Sequence, residues 1–228
     1  MMHVDTAIRA RGSTRAFLQR PVARSAVQSI LDTARYAPSG SNIQPWSVHV
    51  VAGAARDSIV TAVTDAAIYD RASHPGVYDY YPPNWREPYL ARRRACGWGL
   101  YSLLGIAKGD RPAGLAQELR NFEFFGAPVG LFFFIDSDLP HGAWLDCGMF
   151  IQTVMIAAQG AGFATCPQAA WAPFHRLIRA SLDVPDTQTL ICGMALGYAD
   201  PRAPVNGFRP VRLSVREFTA WHGFEAGE

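Results

Sequence analysis

The sequence predicts an α+β domain, because three short segments of strand character are separated by longer segments of helical character. Residues 46–52 alternate in polarity as a strand does, and residues 129–136 and 190–197 are nearly continuous apolar runs of strand length. About six helices are expected between and around these strands. The pattern therefore favours a central sheet flanked by helices.

Length and composition are those of one ordinary globular domain covering residues 1–228. The chain is 49% hydrophobic and 18% charged and has a net charge of +2, so neither nucleic acid nor a membrane surface is an expected partner. Four cysteines are widely spaced without a C-x-x-C pair, and the N-terminus has no apolar signal segment. We expect free thiols and a cytoplasmic location.

The N-terminal segment combines arginines with hydroxyl side chains. A short helical piece is followed by Arg11, Gly12, Ser13 and Arg15, with Phe17 closing the pattern R-x-S-x-R-x-F. Two interpretations remain at this point. The arginines form a solvated face, or their guanidinium groups and the hydroxyls form a site for a phosphate.

An amphipathic helix is predicted from Pro21-Val22 onward, with Val27, Ile30 and Ala34 facing the core. Pro38 ends it. Residues 37–46, A-P-S-G-S-N-I-Q-P-W, form a turn into the first strand, and their amides and hydroxyls are also suited to hydrogen-bonding a planar heteroaromatic ring.

The order of these motifs resembles the FMN-dependent nitroreductase family. R-x-S-x-R-x-F, a helix beginning Pro-Val, and A-P-S-G-S-N-x-Q-P-W entering a strand occur here in the family's order. The resemblance implies a nitroreductase-like fold with a central mixed or antiparallel sheet, FMN as cofactor, and an intertwined homodimer with an exchanged C-terminal segment. It implies FMN contacts at Arg11, Gly12, Ser13, Arg15, Pro38, Ser39, Gly40 and Asn42.

The middle of the chain, at about residues 69–110, is predicted to leave the core. Tyr81, Trp85 and Tyr89 lie in a proline-rich stretch that cannot be a regular helix before about Glu87, and a helix is expected from Glu87 to Ile106. The resemblance implies a lid over the flavin, with Tyr81 and Trp85 near the substrate. The alternative is a surface loop that packs its own aromatic side chains.

An aromatic segment, residues 120–128, leads into the second strand. Phe122, Phe124 and Phe125 either belong to the core or line the pocket beside the flavin, and Phe124 is the candidate for a substrate contact. Arg120 or Asn121 is a further candidate for a cofactor contact by resemblance.

Gly142 to Gly162 is the least polar long window of the chain and predicts a helix buried on nearly all sides. Asp138 ahead of Pro140 is the expected start, and Gly160 and Gly162 the expected stop. A membrane span is the alternative for this length, but Asp146 and two glutamines argue against it. Such a helix is either the centre of the domain or a seam between subunits; the resemblance implies the seam.

The segment after this helix and the C-terminal tail complete the expected site. By resemblance, a turn at Pro167, Gln168, Ala169 and Ala170 presents a backbone N–H to flavin N5. Arg209 and Arg212 are both candidates for the FMN phosphate, and Arg212 aligns better. Cys166 is not expected to be a nucleophile, because its neighbours are small and apolar and no histidine is near it in the sequence.

The implied activity is hydride transfer from NADH or NADPH through FMN to a nitroaromatic or another conjugated small molecule. No catalytic acid or base is expected, because the cofactor carries the chemistry. No metal site is expected either, since histidines and carboxylates lack ligand spacing. Alternatives are quinone or enone reduction, reductive dehalogenation, a biosynthetic flavin oxidase, and a flavin-binding protein without turnover. Neither Gly97-Trp98-Gly99 nor Gly160-Ala161-Gly162 is a dinucleotide fingerprint.

Overall fold

The structure, a computed structural model, describes residues 2–224. Its α-helices are α1 (Val4–Ala10), α2 (Arg24–Ala34), α3 (Gly53–Tyr69), α4 (Tyr89–Leu103), α5 (Arg111–Leu119), α6 (His141–Gly160), α7 (His175–Leu182) and α8 (Val215–Phe218). Its strands are β1 (Ser47–Ala52), β2 (Val129–Asp136), β3 (Ala164–Gln168) and β4 (Gln188–Gly197). Short 3₁₀ segments connect several of them, among them Gly40–Asn42, Arg120–Gly126 and Ala169–Phe174.

The four strands form one antiparallel sheet in the order β1-β2-β4-β3. Strand β2 is central, and all but its last residue are buried, as its continuous apolar sequence predicts. Strand β3 was missed by the sequence analysis, which expected only a turn there. It is a five-residue edge strand containing Pro167, and proline is tolerated at a sheet edge because the missing N–H costs no ladder hydrogen bond.

Helices cover both faces of the sheet. Helices α2 and α6 pack on one face, where Ile30 and Val154 join Leu131 in one core cluster. Helices α3 and α7 and two 3₁₀ segments cover the other face, where Trp171 packs against Phe132. The α+β prediction is therefore confirmed, and the inward residues predicted for the second helix are buried or half-buried.

Helix α6 differs from its prediction. It begins at His141 after Pro140, so Asp138 does not cap it, and it ends at Gly160. One side packs on α2 and the sheet, but the other side is open: Leu145 is 68% exposed and Gln152 is exposed. The expectation of burial on nearly all sides is therefore wrong within one chain. Among the described residues, no helix is long and apolar enough to cross a membrane.

Residues between Tyr69 and Leu119 stand outside the two core clusters. Neither α4 nor α5 has a buried residue. Tyr78 ties this excursion to the body by donating to the carbonyl of Ile191 at 2.5 Å, and its ring meets Trp144 edge-on. The segment is thus laid over the domain instead of being built into its core.

Gly193 tests how tightly the aromatic layer packs on the sheet. A Cβ at this position would overlap the indole ring of Trp171, which is fully buried. We expect Gly193→Ala to cost about 1–3 kcal/mol of unfolding free energy through overpacking, measured by urea denaturation. Gly114→Ala in α5 is the matched control, because nothing lies within 4 Å of its Cβ position and alanine favours a helix by about 1 kcal/mol. Equal stability of the two variants would contradict this packing.

Candidate functional site

Residues 11–15, here called the arginine segment, run along the free edge of β3. Ser13 forms a parallel bridge with Thr165, and the N–H of Thr14 donates to the carbonyl of Thr165 at 3.0 Å. Alternate residues of an extended segment point to the same side, so Arg11, Ser13 and Arg15 share a side. The segment is therefore fixed to the sheet.

Asn206 fastens the C-terminal tail to this segment. Its side-chain oxygen accepts from the backbone N–H groups of Arg15 (2.8 Å) and Ala16 (3.2 Å). Its side-chain nitrogen donates to the carbonyls of Ala16 (2.8 Å) and Asp200 (2.9 Å). Sequence reasoning missed this residue, because an Asn-Gly pair in a proline-rich tail indicates only a turn.

Three arginines meet at this junction. The Arg209 guanidinium lies over Gly12, where an added Cβ would be 3.1 Å from Nη1, and donates to the carbonyls of Asn206 and Phe208. The pKa of Arg11 is lowered, first by burial and then by the positive charges of Arg212 and Arg209. Within residues 2–224, none of the three forms an ion pair with a carboxylate. Like charges without a counter-charge are typical of an anion site.

The end of β3 adds further polar groups beside the arginine segment. Gln168 is buried, and its Nε2 donates to the carbonyl of Asn121 at 2.7 Å. Its Oε1 has no hydrogen-bond partner among the described residues. Ala169 and Ala170 begin a 3₁₀ helix, and the first N–H groups of a helix have no acceptor within it. The turn from Pro167 to Ala170, which the sequence analysis predicted to contact the cofactor, thus carries a buried acceptor and backbone N–H donors.

Cys166 lies beneath this site and is chemically quiet. Burial raises the pKa of its thiol to about 11, outweighing the charges of Arg15 and Arg11 and the hydrogen bond of Ser13. A thiol with this pKa stays protonated near neutral pH and is a poor nucleophile. The expectation that Cys166 is not a nucleophile is supported.

The Pro38–Asn42 turn is a strained structure. Ser41, Asn42 and Gln44 have φ values of 49°, 59° and 47°, in the left-handed backbone region that residues other than glycine seldom adopt. The hydroxyl of Ser39 accepts from the Gln44 N–H at 3.0 Å. Strain of this kind persists only where surrounding contacts hold it, and it is common at functional sites.

Asp146 holds this turn from helix α6. Its Oδ2 accepts from the N–H of Gly40 at 3.1 Å, and the side chain is buried at 6% exposure. The sequence marked Asp146 only as an interruption of an apolar helix. A buried carboxylate in such a helix is costly unless it is hydrogen-bonded, and this contact is the signal that periodicity alone could not supply.

One chain does not bring all the predicted site residues together. The Pro38–Asn42 turn is tied to the first third of α6, whereas the arginine segment lies on β3, beyond the last residue of α6. Fourteen residue steps separate Asp146 from Gly160, which corresponds to about 20 Å of helix. The turn and the arginines therefore occupy separate places on the single chain.

The expected substrate residues also separate. Tyr81 and Trp85 line an open cavity against α4, with their ring centroids 5.4 Å apart. Phe124 is fully buried and stacks on Trp171 at 4.5 Å, so the prediction that it contacts substrate is wrong and its core alternative holds. Within residues 2–224, no group of three or more His, Cys, Asp or Glu side chains is placed to hold a metal ion.

The molecule thus combines an α+β domain, a cluster of arginines without a carboxylate partner and two turns that carry polar groups. The family model for the Nitroreductase family matches residues 8–198, and the chain belongs to this family. The chain is 41% identical to a 4-nitrobenzoate reductase of Pseudomonas putida, covering 97% of this chain and 96% of that one. It is 38% identical to a nitrobenzene nitroreductase of Ectopseudomonas oleovorans, covering 96% of each chain.

Solved structures agree with this assignment. The FMN and NADPH-dependent nitroreductase NfnB from Sphigopyxis sp. strain HMH has a TM-score of 0.95 and 38% identity, covering 98% of this chain and all of that chain. The FMN-dependent nitroreductase NfnB from Mycobacterium smegmatis, solved with NADPH, has a TM-score of 0.90 and 32% identity, covering 96% and 97% of the two chains. The predicted family and fold are confirmed.

The thiol assignments can be tested by alkylation of the native protein. Cys96 is exposed, whereas Cys166 and Cys147 are buried with raised pKa values, in both cases first through burial. We expect iodoacetamide at about pH 8 to modify Cys96 at least tenfold faster than Cys166, as followed by peptide mass spectrometry. Comparable rates for the two thiols in folded protein would show that Cys166 is accessible and activated.

Proposed function

We propose that this chain is an FMN-dependent oxidoreductase that uses NADH or NADPH to reduce a nitroaromatic compound. The observation that carries the proposal is the arginine cluster without counter-charge, in a chain whose relatives are nitroreductases. FMN, when bound, accepts a hydride from the nicotinamide and passes it to the acceptor. The free thiols of all four cysteines favour a cytoplasmic location.

The cluster fits the phosphate of FMN. Arg11 and Ser13 are the proposed ligands from the sheet edge. Arg209 already donates to two backbone carbonyls, whereas Arg212 donates to one, that of Pro210. We therefore assign the phosphate contact to Arg212, with Arg209 lying over Gly12 and adding positive charge.

The turn after β3 fits the ring of the cofactor. We propose that Pro167 to Ala170 lie along it, where the N–H groups of Ala169 and Ala170 are donors and Gln168 Oε1 is an acceptor in need of a donor. Arg15 would place a positive charge beside the ring. The protein's part is to bind, orient and exclude water, so no side chain is assigned as an acid or base.

We also propose that the site is shared between two chains of a homodimer. The open side of α6 exposes Leu145, with Met149 and Ile156 half-buried on the same side, and an apolar stripe of this kind favours pairing with a second copy. Two α6 helices paired antiparallel about a two-fold axis would bring the Pro38–Asn42 turn of one chain toward the arginine cluster of the other. Such pairing would join the parts that the single chain keeps at opposite ends of α6.

The exchange of the C-terminal segment between the two chains, with Arg212 on it, stays part of this proposal. Within one chain, the charge of Arg212 lowers the pKa of Arg11, after the larger effect of burial.

Flavin content and turnover test the proposed function directly. The protein should purify yellow with about one FMN per chain, and NADH or NADPH should bleach it under anaerobic conditions. Nitrobenzene should then restore the oxidised spectrum faster than a quinone or a halogenated aromatic. A bleached flavin that reoxidises only with a quinone would replace the nitroaromatic assignment, and a protein that ignores FMN would remove the proposal.

Arg212→Ala tests the phosphate assignment. Loss of one charge-assisted contact should weaken FMN binding by about 10- to 100-fold, measured by fluorescence titration of the apoprotein. Arg24→Ala is the matched control, because Arg24 is exposed at the start of α2. Unchanged FMN affinity in Arg212→Ala would transfer the role to Arg209.

Ile156→Lys tests the shared site. Ile156 is half-buried on α6, and a lysine buried there without a partner would be strongly unfavourable. We expect the dimer to weaken by about 100-fold or more and FMN to be lost with it, followed by light scattering and flavin absorbance on the same fractions. Ile68→Lys on α3, across the sheet, is the matched control because Ile68 is 47% exposed. A folded Ile156→Lys monomer that retains all its FMN would contradict the shared site.

A further inference from the structure

A cavity of about 760 Å³ opens between the aromatic loop and helix α4. Aromatic and basic side chains dominate its wall, and no acidic residue lines it. The lining residues are Tyr81, Trp85, Tyr89, Arg92, Arg93, Arg94, Cys96, Gly97, Trp98 and Tyr101. A cavity of this volume is large enough for a substituted benzene ring.

Helix α4 supplies most of the wall of this cavity. Its lining residues are Tyr89, Arg92, Arg93, Arg94, Cys96, Gly97, Trp98 and Tyr101. Spacings of four residues place Arg93, Gly97 and Tyr101 on one side of the helix, and nothing lies within 4 Å of a Cβ at Gly97. Gly99 packs against the ring of Phe208 in the tail, and Arg92, seven residues before Gly99, lies on that side of the helix. Arg93 therefore belongs to the open side of α4 and Arg92 to the side of the tail.

The arginines of α4 that line the cavity form no close ion pair. Among the described residues, Arg92, Arg93 and Arg94 form no salt bridge. The pKa of Glu217 is lowered by its hydrogen bonds to Ser214 and also by the charge of Arg92, so the charge of Arg92 is partly compensated. Arg93 keeps its positive charge on the open side of the helix.

Aromatic faces orient two of these guanidinium groups. Arg93 lies 5.1 Å from the centroid of Trp85, and Arg92 lies 5.8 Å from that of Tyr89. A guanidinium held against a ring keeps its N–H groups available at its edge, where they fit the two oxygens of a carboxylate. The wall therefore offers a planar apolar surface next to guanidinium N–H groups that can bind a carboxylate.

We propose that this cavity selects nitroaromatic acceptors that carry a carboxylate, with Arg93 as the carboxylate ligand. The proposal rests on the proposed function and specifies its substrate class. Relatives of this chain differ in this group, since one is named for 4-nitrobenzoate and another for nitrobenzene. The phosphates of NADPH share the anion chemistry, so the test must separate the electron donor from the acceptor.

The decisive measurement is binding to the oxidised holoprotein, which needs no turnover. Calorimetry should give 4-nitrobenzoate at least tenfold tighter binding than 4-nitrobenzamide, its neutral analogue of similar shape. Arg93→Gln should remove most of that ratio, and Arg93→Lys should keep part of it because the charge remains without the fork. Arg111→Gln at the exposed start of α5 is the matched control and should keep the ratio.

The outcomes separate this proposal from the proposed function. Equal binding of acid and amide by the wild type, or an unchanged ratio in Arg93→Gln, overturns the carboxylate selection even if both compounds are reduced. If Arg93→Gln raises the KM for NADPH relative to NADH and leaves the acid-to-amide ratio intact, the arginine binds the donor and the proposal also fails. Tight, Arg93-dependent binding of 4-nitrobenzoate without reduction would support the carboxylate site and instead remove the nitroreductase function.

Discussion

The need to cover both faces of strand β2 is the constraint from which the rest of the structure follows. Seven of its eight residues are buried, so one face requires α2 and α6 and the other requires an aromatic layer. Glycines at 130 and 193 leave room for the rings of Phe124 and Trp171 to approach the sheet closely. These two rings belong to the 3₁₀ segments that flank the proposed cofactor site.

The aromatic layer therefore sets the position of the site. Phe124 and Phe125 adopt φ values of 52° and 53°, a conformation that costs free energy and is held here by their complete or nearly complete burial. The same segment carries Asn121, whose carbonyl receives the side chain of Gln168 at the end of β3. Core packing on one side of the sheet is thus transmitted by one buried hydrogen bond to the turn proposed to hold the flavin ring.

Local sequence patterns predicted the features that depend on burial and period. The apolar runs of β2 and β4 and the amphipathic face of α2 appear where expected, because each is decided by whether a side chain faces the core. The order of the arginine and turn motifs predicted the family. Arg209 does lie over Gly12, the neighbour of Arg11, although almost two hundred positions separate them in the sequence.

Other features depend on tertiary contacts that no local pattern records. Strand β3 has only five residues and contains a proline, so its existence depends on β4 as a partner. From the sequence, Phe124 could be either a core residue or a pocket residue. The glycine that faces its ring leaves the space that places Phe124 in the core. Asn206 is hydrogen-bonded to residues about 190 positions away. The open side of α6 was predicted to be buried because the sequence cannot tell burial by the same chain from burial by another.

Asp146 connects helix α6 to the Pro38–Asn42 turn. The carboxylate sits on α6 and holds the strained Pro38–Asn42 turn through Gly40, so the turn must move with the helix. The helix is the element whose open face we propose to pair with a second copy. If that pairing forms, the hydrogen bond between Asp146 and Gly40 would link the position of each turn to the packing of the two helices. The buried carboxylate in this otherwise apolar helix would then couple assembly of the dimer to completion of the cofactor site.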